Sequence, residues 1–277
     1  SRAAVRTLLM RRTLHLVTAA DCLRLRTLHQ PMLQARVVAV LRRDLAGVDL
    51  AELAAAGRPH FEATPSTLPE VGRAVGARWP GVPARVLGDA LSSLVPLVQV
   101  PPRGLWRQPG PARNTTIDAW LGRPPAPPSP ATADEVVLRY LTAFGPASSS
   151  DLRAWCGLTG LRDPVARVRP RLRTFRDTRG RELLDIPDGP LPDPTVPAPP
   201  RFLPAFDNMV LGFDDRSRVI DDRFRGLSVQ GARFLLVDGR VAGVWTITGT
   251  TLEIRPLTAA VRADADAIVA EGEQLLA

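Results

Sequence analysis

The chain has 277 residues, with 36 basic side chains against 28 acidic ones and a net charge of +8. Every basic residue is arginine and alanine, proline and glycine abound, a bias that a GC-rich genome produces by itself, so the total says little about phosphate binding. No apolar run approaches the roughly 20 residues needed to cross a bilayer and no secretory signal pattern is present, so no membrane is expected and the expected home is the cytoplasm, with the nucleoid.

Distribution says more than the total. Residues 1–47 carry a net charge of +7, residues 48–122 of +1, residues 123–186 of +4 and residues 187–277 of −4. A basic front and an acidic tail point to a polyanion held by the first and third segments, and nucleic acid is the natural soluble candidate. Two proline tracts, residues 124–130 and 187–200, are too rich in proline for helix or central strand and read as stiff connectors.

In chain order, residues 1–9 read as part of a helix through Val5, Leu8 and Leu9, and residues 13–17 alternate like a strand. An amphipathic helix over residues 20–43 follows, studded with arginine. A wing without preceding helices cannot make a domain, so residues 1–47 are expected to be the remnant of a first winged helix plus a long helix, and the sequence the downstream part of a longer protein.

Residues 48–122 read as a second winged helix. Its third helix, over residues 83–95, buries Leu87, Leu91 and Leu94 and is expected to expose Arg85, Asp89 and Ser92, a nearly neutral face. Residues 97–100 can pair with residues 113–117 around a tip holding Arg103, Trp106 and Arg107. An aromatic between arginines can stack on a base or wedge a base step, or it can pack beneath its own hairpin.

Residues 131–186 carry the most informative stretch. Val137, Leu138 and Leu141 mark one helix, a Ser-Ser-Ser-Asp run caps a second with Leu152 and Trp155, and Leu161, Val165, Val168 and Leu172 share one face of a third. Arg162 and Arg169 fall on another face of that third helix, and a hairpin follows whose turn is crowded by Arg173, Arg176, Arg179 and Arg181. This is the winged form of the helix-turn-helix, in which the third helix enters the major groove and the wing meets the backbone or the minor groove. Singly, any of these arginines could equally be part of a solvated face.

Residues 200–277 read as a small α+β domain, an apolar strand over residues 201–211 and an antiparallel meander closed by a helix capped at Thr258. Between them lies a polar cluster, Asp207 and Asn208 with Asp215, Arg216 and Arg218. It reads either as a site where an acid orients an arginine or activates water, or as a salt-bridged corner. Cys22 and Cys156 look like buried thiols, and His15, His29 and His60 lack metal-ligand spacing, so no metal and no cofactor are expected. The fold class is α+β: tandem winged helices, then a small α+β domain.

With these residues in view, the chain resembles the winged-helix DNA-binding proteins of the AlkZ and YcaQ type, bacterial glycosylases that excise bulky or cross-linking alkylpurine adducts. The resemblance rests on residues 9–16, LMRRTLHL, near the family pattern MRGTLH, on residues 98–106, VQVPPRGLW, and on residues 202–208, FLPAFDN, with 215–218, DRSR. It implies tandem winged helices forming a cleft around double-stranded DNA, alkylated or abasic, with Arg11, Arg12 and His15 lining that cleft. The family's catalytic Gln-x-Gln or Gln-x-Asp pair precedes the MRGTLH-like segment and has no counterpart in this sequence, while Arg12 replaces the pattern's glycine, so this chain is not expected to act as a glycosylase alone. The competing expectation is a set of winged helices that serve as protein-interaction modules.

Overall fold

The computed structural model describes residues 2–105 and 107–277. It is a mixed α and β structure with antiparallel sheets, and it divides into two compact units, residues 1–136 with 156–164 and residues 137–155 with 165–277.

In the first unit, β1 (Ala4–Leu8) and β2 (Leu14–Thr18) form a hairpin with Leu8 opposite Leu14 and Ala4 opposite Thr18. The opening residues are thus strand, not the helix their spacing suggested. Val5 and Thr7 are buried while Arg6 and Leu8 are half-buried, an alternation of period two in only five residues, too short a run to separate from a helical pattern. Thr18 then caps α1 (Ala19–Leu28), accepting from the Asp21 amide. The long arginine-bearing helix expected here is broken: α2 (Gln30–Leu41) starts anew because Pro31 has no N–H to continue the ladder.

Asp49 caps α3 (Leu50–Ala63), and β3 (Ser66–Thr67) leads into α4 (Leu68–Val75) through a reciprocal capping box between Thr67 and Glu70. Next come α5 (Ala84–Leu94), β4 (Leu97–Gln99), β5 (Arg113–Thr116) and α6 (Ile117–Leu121). The five strands make one sheet in the order β2-β1-β4-β5-β3. Leu53, Phe61, Val71, Leu87 and Leu91 form the helical core, and Val5, Cys22, Val98 and Ile117 seal α1 and α6 onto the sheet. Helices α4 and α5 cross at near backbone contact: a methyl group on Gly72 would lie 2.0 Å from the Ala84 carbonyl oxygen, and one on Gly88 2.3 Å from that of Leu68.

Three helices run on from there, α7 (Pro130–Phe144), α8 (Ser149–Cys156) and α9 (Arg162–Val168), followed by the hairpin of β6 (Arg173–Arg176) and β7 (Glu182–Asp185). Within the second unit Tyr140, Phe144, Trp155 and Phe213 stack into an aromatic cluster, and the Tyr140 hydroxyl donates to the Gly212 carbonyl at 2.9 Å.

The C-terminal sheet has the order β11-β10-β9-β8, from β8 (Arg201–Phe202), β9 (Phe234–Val237), β10 (Arg240–Thr248) and β11 (Thr251–Pro256). The apolar segment read as one strand over residues 201–211 becomes a two-residue strand and then α10 (Asn208–Leu211), because Asp207 accepts from the Met209 amide and starts a helix. A short α11 (Arg225–Val229) precedes the meander; the closing helix is two pieces, α12 (Ala260–Ala263) and α13 (Ala265–Leu276), the first entered through Ala259 rather than capped at Thr258.

The α4–α5 crossing yields one prediction. Gly72→Ala raises helix propensity by about 1 kcal/mol yet is expected to cost about 2 kcal/mol or more overall, because the methyl must displace a backbone carbonyl. Denaturant unfolding reads this directly, and an unchanged midpoint contradicts the close crossing. A second concerns pH. His29 is 1% exposed, its Nδ1 donates to the Leu25 carbonyl, and burial pushes its pKa from 6.5 down to about 4. The unfolded chain therefore binds a proton that the folded one refuses, so stability is full above pH 6.5 and falls as the pH drops towards 4, by up to about 3 kcal/mol. Unfolding curves at pH 7 and 4.5 are expected to show this loss, and His29→Leu is expected to remove that part of it.

Candidate functional site

In the first unit the motif residues 9–16 form a turn held by arginine. Arg11 and Arg12 both adopt left-handed backbone, with φ of 55° and 61°. For residues with a Cβ this conformation is costly unless its surroundings fix it. Arg12 is fixed: its Nε donates to Ser93 Oγ at 2.8 Å and its Nη2 to Asp89 Oδ1 at 2.7 Å, both on α5. Of the α5 face expected to be exposed, Arg85 is exposed, Asp89 is half-buried in its ion pair with Arg12 and Ser92 is buried. Arg11 is half-buried beside the backbone of Gly157. His15 Nδ1 donates to the Thr13 carbonyl at 2.9 Å, and burial lowers the His15 pKa, with the Arg11 charge adding to the fall.

The β4–β5 hairpin carries Arg103 and Arg107 exposed on its loop, Arg103 donating to the Gly110 carbonyl at 3.2 Å and Arg107 with a positive φ of 54°. Trp106, expected to stack or to wedge there, lies outside the described residues. Behind that loop stands Arg6, which sequence reading passed over because the strand that presents it was read as helix.

In the second unit the wing arginines have carboxylate partners in some cases and not in others. Arg169 makes a two-pronged pair with Glu182 at 3.0 and 2.6 Å, which holds the Glu182 carboxyl below its ordinary pKa. Arg179 pairs with Asp215, and Arg181 bridges Asp177 at 2.6 Å and the same Asp215 at 2.8 Å. Arg173 instead stacks on the Phe175 ring, 5.0 Å from its centre, and donates to the Pro187 carbonyl, while Arg176 donates to that of Gly180. Both are exposed; Arg162, which belongs to the first unit, is exposed as well.

The five residues of the polar cluster do not converge. Asp207 and Asn208 start α10, and Arg216 is directed to Ser228 Oγ at 2.8 Å. Asp215 and Arg218 line a cavity of about 250 Å³ with Arg179, Arg181 and Phe213, where the Arg218 guanidinium sits 3.8 Å from the ring centre of Phe213. The residue that organises this corner is Asp151, read from sequence only as a helix cap. It is 5% exposed, and its Oδ1 accepts from the amides of Asp214 and Asp215 at 2.9 and 3.3 Å while Oδ2 accepts from the Ser148 amide and hydroxyl. Among the described residues no three histidine, cysteine, aspartate or glutamate side chains gather as a metal site, and no helix is long and apolar enough to cross a membrane.

A family model described as DNA glycosylase AlkZ-like matches residues 1–277. No curated protein matches the chain. Among solved structures, the Streptomyces sahachiroi DNA glycosylase AlkZ superposes with a TM-score of 0.73 at 21% identity, over 98% of this chain and 80% of that one. At that identity the superposition speaks for the fold, and the family match over the whole length gives the assignment: the chain belongs to the AlkZ-like DNA glycosylase family.

Proposed function

We propose that this chain is a DNA-repair protein of the glycosylase type that grips double-stranded DNA, alkylated or abasic sites included, through tandem winged helices. The two modules are residues 48–122, with α3, α4, α5 and the β4–β5 hairpin, and residues 131–186, with α7, α8, α9 and the β6–β7 hairpin. Residues 1–47 add a hairpin and two helices, and residues 200–277 form a closing α+β domain. The observation that carries this reading is the β6–β7 hairpin, whose exposed Arg173 and Arg176 donate to backbone carbonyls, Arg176 lying opposite a Glu182 already held in a two-pronged pair by Arg169, so that both stay available to phosphate.

In this reading Arg173 and Arg176 contact the backbone from the β6–β7 hairpin, Arg162 contacts it from the start of α9, and Arg103 and Arg107 contact it from the β4–β5 loop. Arg11 and His15 border the cleft, whereas Arg12 serves its wall through Asp89. Arg169 and Arg179 reach phosphate only by exchanging Glu182 and Asp215 for it.

Replacing Arg173 and Arg176 together by alanine is expected to weaken binding to all duplexes alike and to reduce the salt slope by roughly 0.9 for each phosphate the hairpin no longer neutralises. Fluorescence anisotropy over a salt titration measures both, and an unaltered slope would rule the hairpin out as a phosphate-binding wing. The opposite sign is expected at the corner. Asp215→Asn leaves Arg179 and Arg181 without their shared carboxylate, so duplex affinity and salt slope should both rise; a fall in affinity with the fold intact would mean that the corner orders the wing more than it competes with DNA.

A further inference from the structure

The C-terminal sheet ends in an open edge. Its order is β11-β10-β9-β8, so β11 has a neighbour on one side only, and at six residues it is the longest edge strand among the described residues. Which of its backbone groups face outward follows from β10. The Trp245 amide donates to the Arg233 carbonyl on the β9 side, while the Ala242 carbonyl accepts from the Leu257 amide on the β11 side. Bonds from β10 to β11 therefore fall on the even-numbered residues of β10, which stand opposite Thr251, Glu253 and Arg255. Leu252 and Ile254, opposite Ile247 and Trp245, turn amide and carbonyl out to the open edge.

Such an edge is a template for another strand, and folded proteins guard it with charge, proline or a cover. The charges on β11 are of both signs. Leu252 packs towards Gly272 of α13, and Ile254 towards Val261 of α12. Glu253 and Arg255 stand on the opposite face, exposed, and their side chains have no ion pair or hydrogen bond among the described residues. Opposite charges two positions apart on one face are complementary to a second copy of themselves.

Two copies related by a twofold axis join these edges antiparallel, with outward residues facing one another. With Leu252 opposite Ile254, Glu253 meets Glu253; with Ile254 opposite Pro256, Arg255 meets Arg255. With Ile254 opposite Ile254, Glu253 of each copy stands across from Arg255 of the other, and both pairs attract. That register also gives the fullest ladder. The two Ile254 residues exchange both of their bonds, and at each end the Leu252 amide meets a Pro256 carbonyl; Pro256 has no N–H to return. Larger shifts leave most of the strand unpaired. We propose that β11 is a self-pairing edge, through which two copies of this chain join their C-terminal sheets into one continuous sheet. The proposal is independent of the DNA-binding reading.

A junction of six residues a side is small beside the roughly 20–30 residues a side of a stable interface, so the pair is expected to be weak and to form with concentration. Sedimentation velocity on the full chain, from micromolar to near-millimolar protein, is expected to show a reversible monomer–dimer equilibrium. Glu253→Arg and Arg255→Glu are each expected to raise its dissociation constant at least roughly tenfold, since symmetry turns both attractive pairs repulsive. The two reversals move the net charge in opposite directions, so a loss common to both cannot come from overall repulsion. An equimolar mixture of the two variants is expected to recover the dimer, because each altered edge then faces the opposite sign on the other. A monomer at every concentration, a dimer that either reversal leaves unchanged, or a mixture that stays monomeric overturns the proposal.

Discussion

The close crossing of α4 and α5 is the constraint on which the first unit depends. With Gly72 and Gly88 at the contact, each helix lies against a carbonyl of the other, and Gly57 of α3 admits the Leu91 side chain from the third direction. Helix α5 is fixed in all three, and everything later in the unit is referred to it. Arg12 reaches down to Asp89 and Ser93, Gln30 donates to the Ser93 carbonyl, and β4 leaves the end of α5 at a set height to meet β1. That height puts Gln99 opposite Arg6.

With no lysine in the chain, arginine's planar fork shapes both units. A lysine could neutralise one carboxylate at a point; an arginine can grip two oxygens or two residues at once. Arg169 with Glu182 and Arg181 with Asp177 and Asp215 are of that kind. Exposed pairs of this sort add little stability, so their larger effect is to set which guanidinium groups keep an uncompensated charge. Charge counted from sequence gives the middle segment a modest excess. On the β6–β7 hairpin, geometry commits Arg169, Arg179 and Arg181 to carboxylates and leaves Arg173 and Arg176 bonded to backbone carbonyls.

Much of the helical architecture was legible because its signals are local and long enough. The individual helices and the hairpin of residues 131–186 fall where the sequence reading put them, since the apolar spacing, the Ser-Asp cap before α8 and the turn at Gly180 are each complete within a few residues. The opening strand was not legible, because five residues cannot distinguish period two from helical spacing and its partner β4 lies some 90 residues away. The site suffered from the same gap. Arg6 and Gln99 are neighbours only through a long-range register, and Asp151 acts on amides 63 and 64 residues downstream, pairings that no sequence period encodes.

Position 12 joins these threads. A glycine there, as in the motif the chain resembles, adopts a φ of 61° without strain; an arginine needs the conformation to be imposed. The imposed contacts are a charge-assisted bond to Asp89 and a second bond to Ser93, strong enough together to offset a left-handed residue of about 1 kcal/mol. Their consequence is chemical as well as structural. Without that guanidinium Asp89 would stand as an unpaired carboxylate beside the motif turn. With it, Asp89 is neutralised and the motif turn is tied to α5.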